Sequence, residues 1–176
     1  IDTGALIRDL VDTGGLAEFI RIFWSECVPQ TYCHNWHIDA ICEYLEAVTL
    51  GQISRLVINV PPGHMKSLSV GVFWPAWMWT LDPKLAFLYG SFDQSLLNSK
   101  QSEPMIELIN SAPYQAAYPY VQLKGKTPAM REFKNTAGGF RFNTSPEGKG
   151  TGRHVDYLVV DDPMKPQDAI GTGGAV

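Results

Sequence analysis

Long apolar runs are missing from this chain of 176 residues. The densest stretch, Val70 to Met78, is broken by Gly71 and Pro75 and falls well short of the roughly 18 apolar residues that a membrane helix needs. The opening Ile1-Asp2-Thr3-Gly4 has neither the basic start nor the apolar stretch of a secretory signal. Cysteine is scarce. Cys27, Cys33 and Cys42 form no CxxC and cannot all pair with one another, which suits a reducing compartment. Taken with His34 and His37 they match no zinc spacing, so buried thiols are expected instead of a metal cluster. No internal repeat or low-complexity segment is visible. Hydrophobic residues at 45% are too many for intrinsic disorder and ordinary for a globular domain. The expectation is a soluble protein with one real core.

The net charge of −4 conceals an asymmetry. Between Lys124 and Arg153 stand seven basic residues (Lys124, Lys126, Arg131, Lys134, Arg141, Lys149, Arg153) and two acidic ones, Glu132 and Glu147, so this window carries +5 and the remainder −9. Such a strip suits a polyanion bound at one place, and equally a solvated surface hairpin.

Leu16, Phe19, Ile20 and Phe23 recur at helical spacing, predicting a short amphipathic helix that ends near Pro29. A second helix is expected from about Asn35, with Ile38, Ile41, Cys42, Leu45 and Val48 on one stripe and Gly51 as its stop. Leu56 to Val60 reads as a buried parallel strand, followed by a Pro61-Pro62-Gly63 break and a helix from near Lys66. That helix is apolar almost all round, so it should be buried, with a kink at Pro75. Leu85 to Tyr89 is expected as a strand, Asp93 as the cap of the next helix, and Pro104 as the start of a second helical piece. Arg131 to Lys134 and Gly139 to Asn143 form an expected antiparallel hairpin, and Tyr157 to Val160 a third apolar strand. Strands alternating with helices predict a parallel sheet with helical crossovers. The reading divides the chain into an N-terminal helical segment at 1–52, a core at 53–168, and a flexible tail or truncated end at 169–176.

Two segments carry chemistry. The stretch Val60-Pro61-Pro62-Gly63-His64-Met65-Lys66-Ser67 is a strand end, a tight loop, Lys-Ser and a helix start. Binding a nucleoside triphosphate takes backbone N–H groups aimed at phosphates, a helix N-terminus behind them and a lysine for the β/γ charge. Gly63, His64, Met65, Lys66 and Ser67 offer five consecutive N–H donors, and the Ser67 hydroxyl suits Mg²⁺. The standard G-x-x-x-x-G-K-[ST] pattern is nonetheless broken, since Val60 and Met65 stand at its glycine positions. A plain strand-to-helix turn with an exposed lysine is the competing reading. The second segment places Asp161 and Asp162 just past the end of the Tyr157–Val160 strand, where open α/β sheets bind their ligands. One carboxylate can hold Mg²⁺ while its neighbour orients and deprotonates an attacking water. Asp-Asp-Pro is also good turn chemistry. The separation of 95 positions from Lys66 to Asp161 leaves room for an intervening strand, the layout of P-loop ATPases of the additional-strand type.

From about Phe19 to Asp168 the chain resembles the ATPase domain of the large terminase subunit, the motor that packages DNA into tailed-phage and related capsids. Pro61-Pro62-Gly63-His64-Met65-Lys66-Ser67 is similar to that family's deviant phosphate loop (Walker A). Trp74-Pro75-Ala76-Trp77, Gly90-Ser91-Phe92-Asp93-Gln94-Ser95, Gly138-Gly139, Gly150-Thr151-Gly152-Arg153 and the acidic strand Asp156 to Pro163 (Walker B) follow in family order. The resemblance implies a P-loop fold with a mostly parallel central sheet flanked by helices, truncated at its C-terminal end. It further implies ATP hydrolysis coupled to translocation of double-stranded DNA into a procapsid by a ring of subunits on the portal protein, with a small terminase subunit as partner, in the cytoplasm of an infected host.

By that resemblance Lys66 contacts the β/γ-phosphates, Ser67 and Asp161 hold Mg²⁺, and Asp162 stands at the catalytic-carboxylate position, where many relatives have Glu. Arg153 is the candidate for the arginine that stabilises γ-phosphate charge, from the same or a neighbouring subunit, or else a surface arginine. Trp36 and His37 lie where terminases contact adenine, although a packed helix start explains them too. Gly63 replaces an arginine found in many relatives, so no role of that arginine carries over. The family's nuclease and its coupling motif have no counterpart here. A helicase-like ATPase and a silent nucleotide-binding fragment are the alternatives.

Overall fold

The computed structural model describes residues 2–125, 128–145 and 152–162. Lys126, Glu147, Lys149, Gly150, Thr151, Pro163, Asp168 and the expected tail at 169–176 lie outside the described residues.

Helix α1 (Thr3–Phe23) is capped by Asp2, whose carboxylate accepts from the Ala5 N–H at 3.0 Å. It is longer than the periodicity predicts because two helical pieces abut at Gly15, which has φ 63°. The second piece, carrying Leu16, Phe19, Ile20 and Phe23, has its first orphan donor met from outside. The Leu16 N–H donates to Glu46 Oε1 at 2.6 Å, a long-range version of an N-cap. Helix α2 (Trp36–Thr49) buries Ile38, Ile41, Cys42 and Leu45 and ends before Gly51, as expected.

Lys66 opens a continuous helical run made of α3 (Lys66–Leu68), a π-helical turn (Ser69–Phe73) and α4 (Trp74–Leu81). The disturbance expected at Pro75 therefore takes the form of a widened turn just before it. Pro75 has no N–H to give back to the preceding turn. Two side chains from the sheet serve carbonyls there: Tyr89 Oη donates to Val70 O at 2.8 Å, and Arg141 Nη1 donates to Gly71 O. The same device recurs before Pro104, where α5 (Gln94–Leu97), a π turn (Asn98–Ser102) and α6 (Glu103–Asn110) run on from the Asp93 cap. Helix α7 (Ala112–Ala117) starts at a Ser111 cap and packs on α1.

Strands β1 (Ala86–Gly90), β2 (Glu132–Lys134), β3 (Phe140–Thr144) and β4 (Tyr157–Val160) form one open sheet in the order β2-β3-β1-β4. β1 runs parallel to both β3 and β4, whereas β2 and β3 form the antiparallel hairpin read from the sequence. The architecture is α/β with helices flanking a mixed sheet, which corrects the expected mostly parallel sheet. Two causes account for the difference. The hairpin contributes a reversed edge strand, and the expected strand Leu56–Val60 has no ladder partner among the described residues. That segment does alternate, with Val57 at 81% exposure between half-buried Leu56 and Ile58. A strand needs a neighbour for its backbone groups, however, and none is paired with it here.

The core is a single aromatic-rich cluster that runs through α1 and α2 as well as the sheet-facing helices, with Phe19, Phe23, Phe73, Trp79, Phe87, Tyr89 and Tyr114 fully buried. Among the described residues no helix is long and apolar enough to cross a membrane. The thiols divide: burial pushes Cys42 up to about 12 and Cys27 likewise to about 12, while Cys33 is exposed, against the expectation of three buried thiols. Glu46→Ala should destabilise the fold by about 1–2 kcal/mol, and Glu46→Gln, which keeps an acceptor for Leu16, should cost less. Chemical denaturation of the three proteins checks the order, and equal stabilities would contradict the cap.

Candidate functional site

The loop Pro61–Met65 turns the chain from the extended Leu56–Val60 segment into α3. Left-handed backbone at Gly63 (φ 79°) and at Met65 (φ 63°) makes the reversal tight. Glycine tolerates this geometry freely, but a side chain at Met65 adopts it at a conformational cost. The second glycine of the standard phosphate loop would stand at this position, so the left-handed backbone survives here without its usual residue. His64 braces the turn. Its Nδ1 lies 3.1 Å from Pro61 O and 3.0 Å from Pro62 O; both partners are acceptors, so Nδ1 carries the proton. The N–H groups of Lys66, Ser67 and Leu68 open the helix and lack intrahelical acceptors by position.

β4 delivers the two carboxylates to the same place. Asp161 N–H donates to Gly90 O at 2.9 Å and Phe92 N–H to Asp162 O at 3.1 Å, so β1 pins the acidic turn. Asp162 is itself left-handed, with φ 49°, a conformation that Asp tolerates better than most residues. Lys66 Nζ then lies 3.0 Å from Asp161 Oδ1 and 3.5 Å from Asp162 Oδ1. Burial alone would lower the lysine pKa. The hydrogen bond and charge of Asp161, with Asp162 behind it, outweigh burial and hold the ammonium above its ordinary value. The carboxylates differ in setting: the Asp161 side chain is 15% exposed and that of Asp162 69%.

A cleft of about 830 Å³ opens beside them, lined by Leu56, Ile58, Lys66, Ser67, Val159 and Asp161 among others. It lies between the extended Leu56–Val60 segment and β4, whose outward Leu158 and Val160 are 65% and 56% exposed. The donor set suits an oxygen-coordinated divalent cation. The Ser67 hydroxyl and the Asp161 carboxylate both line the cleft, and Asp161 already faces a cationic ammonium. Among the described residues no three His, Cys, Asp or Glu side chains gather as a closed metal cage.

The other expected residues fall in different places. His37 packs against His64 with ring centroids 5.4 Å apart, and Trp36, 76% exposed, stands edge-on to His37 at 6.2 Å. Both therefore flank the loop from α2. Arg153 is held elsewhere: Nη1 and Nη2 each donate to Glu132 carboxylate oxygens at 2.9 Å, and the guanidinium lies 4.0 Å from the Phe142 ring centre. The fork to Glu132 raises the arginine pKa, and the same bond lowers that of Glu132. Glu132 and Phe142 belong to β2 and β3, on the side of the sheet away from β4, so the structure does not bring Arg153 to Lys66.

The basic strip needs a larger correction. Arg141 is fully buried and cannot face a polyanion, Lys134 lies 3.4 Å from Glu132, and Arg131 sits 5.4 Å from the Phe142 ring centre. Alternation along Phe140-Arg-Phe-Asn-Thr suggests a solvated polar face, but β3 is an inner strand covered on both sides. Burial pushes the Arg141 pKa down to about 10, which still leaves it charged at neutral pH. Its guanidinium stacks on Tyr89 at 3.8 Å, and its Nη2 donates to Gln101 Oε1 at 3.0 Å. Gln101 Nε2 in turn donates to Asp161 Oδ2 at 2.8 Å. Sequence reasoning missed Gln101 and Arg141. The one available signal was Gly71, a glycine in an otherwise bulky apolar helix, where any Cβ would collide with the Gln101 amide. No family model matches the chain, and no curated protein or solved structure matches it.

Proposed function

We propose that this chain is an ATP-hydrolysing motor domain of the DNA-packaging type, with the cleft between α3 and β4 as its nucleotide site. The observation that carries this reading is the ion pair between Lys66, from the loop after Val60, and both Asp161 and Asp162, from the end of β4. Residues that far apart in the chain meet at the C-terminal end of a sheet strand, where a phosphate and its counter-ion need a cation, a hydroxyl and two acids together. The packaging assignment rests on the order of the sequence motifs around that pair.

In this reading the Lys66 ammonium leaves Asp161 for the β/γ-phosphates, and the N–H groups of Gly63 to Ser67 cradle them. Ser67 and Asp161 would hold Mg²⁺, which when bound neutralises charge on the β- and γ-phosphate oxygens. Asp162, at the water-exposed rim, accepts the proton of the attacking water. Trp36 and His37, beside the loop from α2, are where an adenine would stack. Arg153 serves a neighbouring subunit, since in its own chain it is held at the β2–β3 edge of the sheet, opposite the β4 edge that carries Asp161 and Asp162. Lys124 and Arg131, both exposed, remain for non-specific contact with the phosphates of double-stranded DNA. Portal protein and small subunit are the further partners this reading carries.

The Arg153–Glu132 pair favours one variant of the reading. The separate chain binds nucleotide but turns it over slowly until a ring forms.

Lys66→Ala should abolish Mg-ATP binding measured by calorimetry, and equal affinity for both proteins would overturn the site. Asp162→Asn should keep affinity within a few-fold and lower single-turnover hydrolysis by about 10²–10⁴-fold; normal hydrolysis would remove Asp162 from the reaction. Arg153→Ala should leave nucleotide affinity of the monomer unchanged and cut turnover of assembled rings by about a thousandfold. Undiminished turnover in rings would return Arg153 to a purely structural role beside Glu132.

A further inference from the structure

Asp161 presents two oxygens that meet different partners. Oδ1 faces Lys66 Nζ at 3.0 Å on the cleft side, while Oδ2 accepts from Gln101 Nε2 at 2.8 Å on the core side. The direction of the Gln101 amide is fixed by chemistry. Arg141 can only donate, so the amide oxygen must turn to it and the NH₂ to the carboxylate. Gln101 is 3% exposed, at the inner wall of the cleft. Arg141 is fixed just as firmly, by Gly71 O, Asn143 Oδ1 at 3.1 Å and the Tyr89 ring. Gly71 completes the arrangement from the other helical run, because a Cβ there would occupy the space of the amide.

We propose that Gln101, clamped by the buried Arg141, is a positioning residue that holds Asp161 so that only Oδ1 is offered to the nucleotide's divalent cation. The inference rests on the nucleotide-site reading above and names what orients its metal-binding carboxylate. Outer partners of this kind fix the geometry of a ligating group, and losing one typically weakens metal affinity about 10–100-fold. A carboxylate released from Gln101 can rotate about its own bond and no longer offers Oδ1 to the cation in one fixed direction.

The test is Gln101→Met, which keeps the side-chain length and removes both polar ends. Mn²⁺ affinity is read by electron paramagnetic resonance in the presence of a non-hydrolysable ATP analogue, and analogue affinity is read separately in EDTA. The expected result is about a tenfold or greater loss of Mn²⁺ affinity, with metal-free analogue affinity within twofold of the parent. A Mn²⁺ affinity within twofold overturns the proposal, and so does an equal loss of both affinities, which a general disturbance of the cleft would give. Should the single variant not fold because Arg141 loses its acceptor, Gln101→Met with Arg141→Met removes the buried charge together with its partner. The same readings on that protein decide the matter. If the parent binds no Mn²⁺ with the analogue, the nucleotide reading falls and takes this proposal with it. If the parent binds and the variant matches it, the positioning role alone falls.

Discussion

A proline in the middle of a buried helix sets much of this structure. Pro75 has no N–H for the turn before it, and the helical run widens there into the π turn Ser69–Phe73. Tyr89 and Arg141 answer Val70 O and Gly71 O from the sheet. Serving that carbonyl draws a guanidinium into the interior, where a charge is tolerated only with several hydrogen bonds and a π face around it. The same arginine holds Gln101, and Gln101 holds Asp161. A local defect in helix geometry is thereby connected to the orientation of a carboxylate in the cleft.

Two sides of Asp161 therefore follow different rules. On the core side Oδ2 accepts from the buried Gln101 amide, which Arg141 holds in turn, so its geometry is specified. The cleft side is an ion pair with Lys66 whose partners can be exchanged for others of the same charge. Asp162, next in the chain, is pinned by its backbone to β1 yet leaves its side chain in water. The division suits a site in which one acid must stay fixed and the other must reach solvent.

What was legible in the sequence was mostly local. The helix start near Asn35, the cap at Asp93, the hairpin of Arg131–Lys134 with Gly139–Asn143, and the apolar strands expected at Leu85–Tyr89 and Tyr157–Val160 each carry their signal within a few residues. Lys66, Asp161 and Asp162 stood out in the sequence as a Lys-Ser loop and an acidic pair after an apolar strand, and the structure brings their side chains together. The rest depended on partners that no local pattern reveals. Leu56–Val60 has the composition of a strand and the alternation of one, but pairing is decided by neighbours. Arg141 read as one of a basic strip, on a polyanion contact or a solvated hairpin, and the structure buries it fully in β3. Arg153 read as a candidate γ-phosphate arginine or else a surface arginine, and its partner Glu132 lies 21 positions away. Gly15 drew no reading at all, and the break there is understood only with Glu46 of α2 on the Leu16 N–H.

The central claim is that the Lys66 ammonium, now paired with Asp161, is the counter-charge for the phosphates of a bound nucleotide. The most direct measurement is a crystal structure of the chain with Mg²⁺ and a non-hydrolysable ATP analogue. The account predicts β/γ-phosphate oxygens within hydrogen-bond reach of Lys66 Nζ, the metal between Ser67 Oγ and Asp161 Oδ1, and Gln101 still on Oδ2. An analogue bound elsewhere, or bound in the cleft with Lys66 still paired to Asp161, would contradict it.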